Sequence, residues 1–151
     1  MDEKSTRPVK NILIATDGSE GMSAVYTLAL DLAKNLGAKL FGVYVVDFTP
    51  FAGMPEDEII VQTKTKLYDI GWNVLNQLKR RALENGLEID VILEEGAPAE
   101  RILKVAKKLE VDMIILGTTG RSALDKILLG SVADYVIKNA RCPVLAVRIQ
   151  K

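Results

Sequence analysis

Between Gly117 and Ser131 the chain reads G-T-T-G-R-S-A-L-D-K-I-L-L-G-S. Two residues separate Gly117 from Gly120, nine separate Gly120 from Gly130, and Ser131 follows at once. The apolar run Met113-Ile114-Ile115-Leu116 precedes this stretch, and the helical pattern Val132, Ala133, Val136, Ile137 follows it. Glycines at a strand end and a Gly-Ser pair at a helix start suit a phosphate-cradling loop. Glycine lets backbone approach an anion closely and adopt positive φ. Unpaired N–H groups at a helix N-terminus point at the anion, and the helix dipole favours its charge. The plainer reading is three turn glycines, with Ser131 as an ordinary N-cap. Neither a G-x-x-x-x-G-K-[ST] loop nor a G-x-G-x-x-G after the first strand is present, which argues against a P-loop NTPase and a dinucleotide site.

Composition narrows the chemistry further. The sequence has no histidine, which removes histidine general bases, Ser-His triads and histidine metal sites. Any metal is then held by oxygen ligands, a bound phosphate among them. Its 20 basic and 20 acidic residues cancel, so no basic footprint for nucleic acid is expected. The hydrophobic share of 48% and charged share of 26% are those of a soluble globular protein, and 151 residues suit one domain. A single cysteine, Cys142, permits no intrachain disulfide and suits a reducing cytoplasm. Residues 1–10 are polar, without a signal-peptide core, and no apolar run approaches the length of a membrane helix.

Strand and helix patterns alternate along the whole chain. Asn11 to Ala15 is a short apolar strand ending at Thr16-Asp17-Gly18-Ser19. A helix follows, with Met22, Val25, Leu28, Ala29, Leu32, Ala33 and Leu36 on one face and Gly37 as its C-cap. Leu40 to Val46 is a second strand, and the prolines and glycine of residues 47–57 predict an irregular loop. A long helix from about Glu56 to Asn85, a strand over Leu87 to Leu93 and a helix opening at Pro98 come next. Val111 to Thr118 is the fourth strand, Ser131 to about Asn139 the last helix, and Val144 to Ile149 the fifth strand. This alternation predicts right-handed crossovers and a doubly wound α/β fold with a parallel sheet covered on both faces. With strand order 3-2-1-4-5, the ligand crevice falls between strands one and four. Thr16-Asp17 and Gly117-Thr118 both end there.

The spacing G-x-x-G, nine residues, G-S resembles the nucleotide motif of the universal stress protein family, in its ATP-binding subclass. The opening I-L-I-A-T-D-G-S-E, the strand Val43 to Asp47, and the segments I-L-L-G-S-V-A-D-Y-V-I and C-P-V-L-A-V-R are similar to that family as well. The likeness runs from about residue 8 to the end and is weakest over Phe48 to Glu84. It implies an adenine nucleotide alpha hydrolase-like fold, and it implies roles. Asp17 matches the carboxylate that takes the ribose hydroxyls; the alternative is a helix cap, for which Ser19 is available. Ala15 and Thr16 face the base and sugar, and Ala15 stands where many relatives have proline or another small residue. Val45 lies beside the adenine, where backbone groups can read the base edge. Gly117, Thr118, Gly120, Gly130, Ser131 and Val132 match the phosphate positions, with Thr119 near them. Arg121 either pairs with the terminal phosphates or is solvated, and Lys126 is solvated.

The remaining features read as structural. Lys79-Arg80-Arg81 and Lys104, Lys107 and Lys108 are exposed helix faces. Cys142 is a small core residue. Phe48 and Phe51 either form a lid over the base or pack on the surface, and Trp72 packs on its helix or at a subunit contact. The last strand would lie at a sheet edge, where Val144, Leu145, Val147 and Ile149 invite pairing. The family likeness implies a homodimer through it. The expected function is an ATP- or other adenine-nucleotide-binding (ADP, AMP) regulatory or stress-response module, cytoplasmic, with Mg²⁺ or Mn²⁺ held mainly by the phosphates and a protein partner of unknown kind. Two alternatives stand beside it: a slow ATPase or phosphotransferase using Asp125 and Arg121 with a partner, and a nucleotide-free interaction protein. No dedicated catalytic residue is assigned.

Overall fold

Five short apolar runs separated by amphipathic helices can bury both faces of a sheet only by laying helices on each side. The computed structural model, which describes residues 7–119 and 129–149, has this arrangement. The strands are β1 (Asn11–Ala15), β2 (Lys39–Val46), β3 (Ile89–Glu95), β4 (Met113–Gly117) and β5 (Val144–Val147). They pair in parallel in the order β3-β2-β1-β4-β5. The helices are α1 (Met22–Leu36), α2 (Glu58–Glu84), α3 (Pro98–Lys108) and α4 (Ser131–Asn139). The strand order is the expected 3-2-1-4-5, and it puts β1 and β4 side by side at the point where the winding reverses.

Alternation along the strands divides the core in two. Ile12, Ile14, Leu40 and Ile115 point to α1 and α2, where they meet Val25, Ala29, Leu78 and Ala82. Leu13, Ala15, Phe41, Val43, Ile114 and Leu116 point to α3 and α4 and meet Ile102, Val105, Ala106, Ala133 and Val136. Each fully buried Leu, Ile or Val contributes about 1.5–3 kcal/mol through removal from water. Cys142 packs at the edge of the second cluster, and burial pushes its thiol pKa up, so it stays a protonated packing residue.

Local signals set most helix ends. Gly37 closes α1 at φ +64, where a side chain would be strained. Asp57 starts α2 by accepting from the Ile60 N–H at 2.9 Å, so the helix opens at Glu58, two residues later than expected. β3 is likewise displaced two residues toward the C-terminus of the expected stretch. Leu28 and Leu36 are exposed, and Leu30 is buried on α1 instead. The loop over residues 47–57 contains a 3-10 turn at Thr49–Phe51, with Pro50 in its first turn. Phe48 packs edge-on against Tyr68 of α2 with ring centroids 5.3 Å apart. Arg81 is no solvated cation: it donates to the Ser23 and Thr27 hydroxyls and lies 5.8 Å from the Tyr26 ring centre, joining α2 to α1.

The largest departure from expectation is at the end. β5 stops at Val147, and Ile149 does not continue the open edge. It packs into the core cluster that holds Met22 and Val25 and is only 6% exposed. Among the described residues, no helix is long and apolar enough to cross a membrane.

Candidate functional site: the crevice between strands one and four

The pairing of β1 with β4 runs from Ile12↔Met113 to Ile14↔Ile115 and stops. Ala15 and Thr16 on one side, Leu116 and Gly117 on the other, continue past the last pair, where a doubly wound sheet opens a crevice. On the other side of β1, the Thr16 N–H still donates to the Val43 carbonyl at 3.0 Å. β2 runs on to Val46 with only β3 beside it, Val45 opposite Glu94.

That overhang has a consequence for Val45. Along a strand flanked on both sides, successive residues direct their N–H and C=O to opposite neighbours. The Val43 carbonyl serves β1, and the Val46 carbonyl accepts from Gly96 N–H at 3.0 Å on the β3 side. Val45 therefore directs both its N–H and its C=O toward β1, beyond the point where β1 has ended. Neither group has a backbone partner among the described residues outside regular elements. A donor and an adjacent acceptor, without backbone partners among the described residues outside regular elements, thus face the crevice.

The turn after β1 is held by its own side chains. Thr16 is 6% exposed, and its Oγ1 accepts from Gly18 N–H at 3.1 Å and pairs with the Tyr26 hydroxyl at 2.5 Å. Gly18 has φ +74, so this acidic turn carries a positive-φ glycine. Asp17 Oδ1 accepts from the Ser19 N–H at 2.9 Å. That bond leaves Oδ2, and a lone pair on Oδ1, for another donor. Neither Asp17 nor Ser19 caps α1: the N-cap is Gly21, with no side-chain bond, and the buried Ser19 Oγ has no partner among the described residues. Burial raises the Tyr26 pKa; the Thr16 hydrogen bond and the Arg81 charge oppose this and the Asp17 charge adds to it.

Across the crevice, β4 ends in a clasp. Thr118 N–H donates to the Val147 carbonyl at 2.9 Å, and the Thr118 carbonyl accepts from Gly130 N–H at 2.6 Å. The Gly130 amide brings the start of α4 to the end of β4. Gly130 is the N-cap of α4 with no side-chain cap, and Ser131 is the first helical residue, not the cap. The first bond within the helix is Asp134 N–H to the Gly130 carbonyl. The N–H groups of Ser131, Val132 and Ala133 precede it and have no acceptor within the helix. Thr119, 8% exposed, is buried beside this clasp. Gly117 and Gly130 are not among the positive-φ glycines. Gly117 is instead glycine for space: a Cβ there would lie 2.3 Å from Ile149 Cδ1.

Ala15, Thr16, Asp17, Val45, Gly117, Thr118, Gly130, Ser131 and Val132 therefore all stand at the carboxyl ends of the central strands or at the start of α4. Gly120, Arg121, Asp125 and Lys126 lie outside the described residues. Sequence reasoning missed Tyr26 and Gly21 and put Ile149 on the open strand edge, because each makes its contact with a residue distant in the chain. Among the described residues there is no cluster of three or more His, Cys, Asp or Glu that could hold a metal ion.

A five-stranded parallel sheet whose winding reverses between β1 and β4 defines a doubly wound α/β protein. Residues 8–148 match the model of the universal stress protein family, and the chain belongs to that family. It is 42% identical over 142 residues to Universal stress protein MJ0531 of Methanocaldococcus jannaschii, covering 94% of this chain and 84% of the relative. The solved structure of hypothetical protein MJ0577 superposes with a TM-score of 0.84 at 30% identity, covering 96% of this chain and 99% of that one. The universal stress protein from Archaeoglobus fulgidus in complex with dAMP superposes at 0.64 with 23% identity, covering 95% of this chain and 100% of that one.

Proposed function

We propose that this member of the stress-protein family binds an adenine nucleotide, ATP in the first instance, across the β1/β4 crevice. The observation that carries the reading is the overhang of β2. Val45 offers an N–H and a C=O side by side, and the uncapped start of α4 lies at the end of β4 across the crevice. Adenine presents an acceptor at N1 next to the amino donor at N6, which complements that pair. Guanine presents the reverse order on the same edge and would meet like against like.

Asp17 takes the ribose hydroxyls with the oxygen that Ser19 leaves free. Ala15 and Thr16 form the floor under base and sugar. The N–H groups of Ser131 and Val132, aided by the Ser131 hydroxyl, hold phosphate oxygens at the positive end of α4. Thr118 fixes the position of that helix start through its carbonyl. A divalent cation, Mg²⁺ or Mn²⁺, would be held mainly by the phosphates, since Asp17 is the one carboxylate among these crevice residues. The likeness to the dAMP complex is one of fold; this chain's own strand ends support the ligand assignment.

Among the described residues the crevice offers backbone donors and the Asp17 carboxylate, and we read it as a nucleotide-responsive module. We place its dimer contact on β5, which is the sheet edge beyond β4. Its residues Val144 to Val147 are only half-buried. Native mass spectrometry of the purified protein, with titration against ATP, ADP, AMP and cyclic AMP, tests both parts. Retention of an adenine nucleotide by a dimer is expected. Failure of every adenine nucleotide to bind would overturn the reading and favour a nucleotide-free interaction protein.

A further inference from the structure

Two of the glycines bordering the crevice are glycine for the same reason. A Cβ on Gly21, the N-cap of α1, would lie 1.9 Å from Ile149 Cγ2. A Cβ on Gly117, the last residue of β4, would lie 2.3 Å from Ile149 Cδ1. Both distances are far inside van der Waals contact, so the two branches of one isoleucine occupy the places of two missing side chains. Ile149 is 6% exposed and two residues beyond the end of β5. Its N–H donates to Thr118 Oγ1 at 3.3 Å. Thr118 is the residue whose carbonyl accepts the Gly130 amide.

We propose that Ile149 is a positioning residue for the nucleotide site, wedged between Gly21 and Gly117 and holding the Thr118–Gly130 clasp at the start of α4. The proposal rests on the nucleotide reading above and adds a means by which the start of α4 is held. The chain of contact is continuous: Ile149 to Gly117 and Thr118, Thr118 to Gly130, and Gly130 to the unpaired amides of Ser131 and Val132. Val45, at the base end, is on β2 and has no part in it. Loss of the wedge therefore weakens the hold on phosphates and leaves the hold on base and ribose. A packing role alone would weaken both equally or neither.

The test uses the full chain with Ile149→Ala, Ile149→Val and the double variant Ile149→Ala with Gly117→Ala. Amide exchange in the nucleotide-free protein is read by NMR, and ATP and adenosine are titrated against each variant. In Ile149→Ala, exchange at Gly130 quickens about tenfold while Leu13 and Ile14 in β1 keep their protection. ATP affinity falls about tenfold and adenosine affinity changes less than about twofold. The alanine methyl at position 117 refills the space of Cδ1, so the double variant recovers part of both losses. Ile149→Val removes only Cδ1 and gives a smaller loss of the same kind, which keeps the test available should Ile149→Ala not fold. Unchanged protection at Gly130, or equal weakening of ATP and adenosine, overturns the proposal. If no variant and no wild-type protein binds either compound, the nucleotide reading fails, and the Gly130 exchange still decides whether Ile149 holds the clasp.

Discussion

The amide of Gly130 donates to the carbonyl of Thr118 at 2.6 Å, and that one bond joins the start of α4 to the end of β4. It commits the N-cap amide to the protein and leaves the next three N–H groups of the helix pointing outward. A helix start held in this way resists being pulled toward a ligand or away from it. Preorganised donors of this kind lose little entropy on binding an anion.

Replacing Ser131 tests those donors without disturbing the helix. Proline is tolerated at the first helical position, and Gly130 has the extended ψ of 153° that a following proline requires. Ser131→Pro deletes one N–H and the hydroxyl, whereas Ser131→Ala deletes the hydroxyl alone. Calorimetric titration is expected to show ATP affinity reduced about tenfold in the proline variant and a smaller loss in the alanine variant. Both should melt within a few degrees of the parent.

Asp17→Asn separates the charge from the turn. An asparagine oxygen can still accept the Ser19 amide, so the turn survives. The hydrogen bond to ribose loses its charge. Affinity for ATP should drop roughly ten- to hundredfold. 2′-Deoxy-ATP, which lacks one of the two hydroxyls, should lose less than ATP on the same substitution. Equal losses for the two ligands would remove Asp17 from the ribose.

Tyr26 carries a pH dependence. Its folded pKa lies above the ordinary 10.0, chiefly because it is buried. A group whose folded pKa is raised contributes stability that is fully present below the unfolded value and is lost as pH rises through the folded one. Tyr26→Phe should cost about 1 kcal/mol at pH 8 through the lost bond to Thr16. Above pH 10 the parent should lose stability that the variant retains, so urea midpoints measured at the two pH values should converge.

Asp112 behaves oppositely, at the other end of the sheet. It is 7% exposed, accepts the Lys10 and Asn11 amides at 2.9 Å each and pairs with Arg7 at 2.7 Å. Burial raises its pKa, but the two amides and Arg7 outweigh burial and hold the carboxyl below its ordinary 3.8. Its stabilisation is present above pH 3.8 and is lost as pH falls through the lower folded value. Asp112→Ala should cost about 2–3 kcal/mol at neutral pH, less as the solution is acidified, and leave nucleotide affinity unchanged. Denaturant midpoints from pH 7 to pH 2 check this.

What the chain discloses on its own follows the range of the physics. Gly37 and Pro98 act within one helical turn, so the residue types alone mark those helix ends, whereas the start of α2 is set by the Asp57 cap rather than by the pattern from Glu56. The alternation of strands with helices fixes the layers, and the crevice follows from the strand order. Val45 is foreseeable as a residue of the second strand; that both its backbone groups face β1 beyond its end follows only from knowing where β1 stops. Ser19 looks like a helix cap because serine before a helix is the common local solution. The chain uses Gly21 there instead, since Ile149 needs the space. Gly117 reads as a ligand glycine for the same reason, because its partner lies 32 residues away and no local pattern links the two. Tyr26 is hidden similarly, as its hydroxyl meets Thr16 only through the fold.

An adenine nucleotide in the crevice requires Val45 and the start of α4 to act at two ends of one ligand. A backbone-amide NMR titration of the full chain with ATP, and in parallel with GTP, measures both ends at once. The amides of Val45, Ser131 and Val132 should shift together with a single midpoint on addition of ATP, and GTP should bind at least about tenfold more weakly. Shifts confined to the α4 amides, with GTP and ATP equivalent, would contradict an adenine site and leave a simple anion site. No shift at either end would contradict nucleotide binding in the crevice.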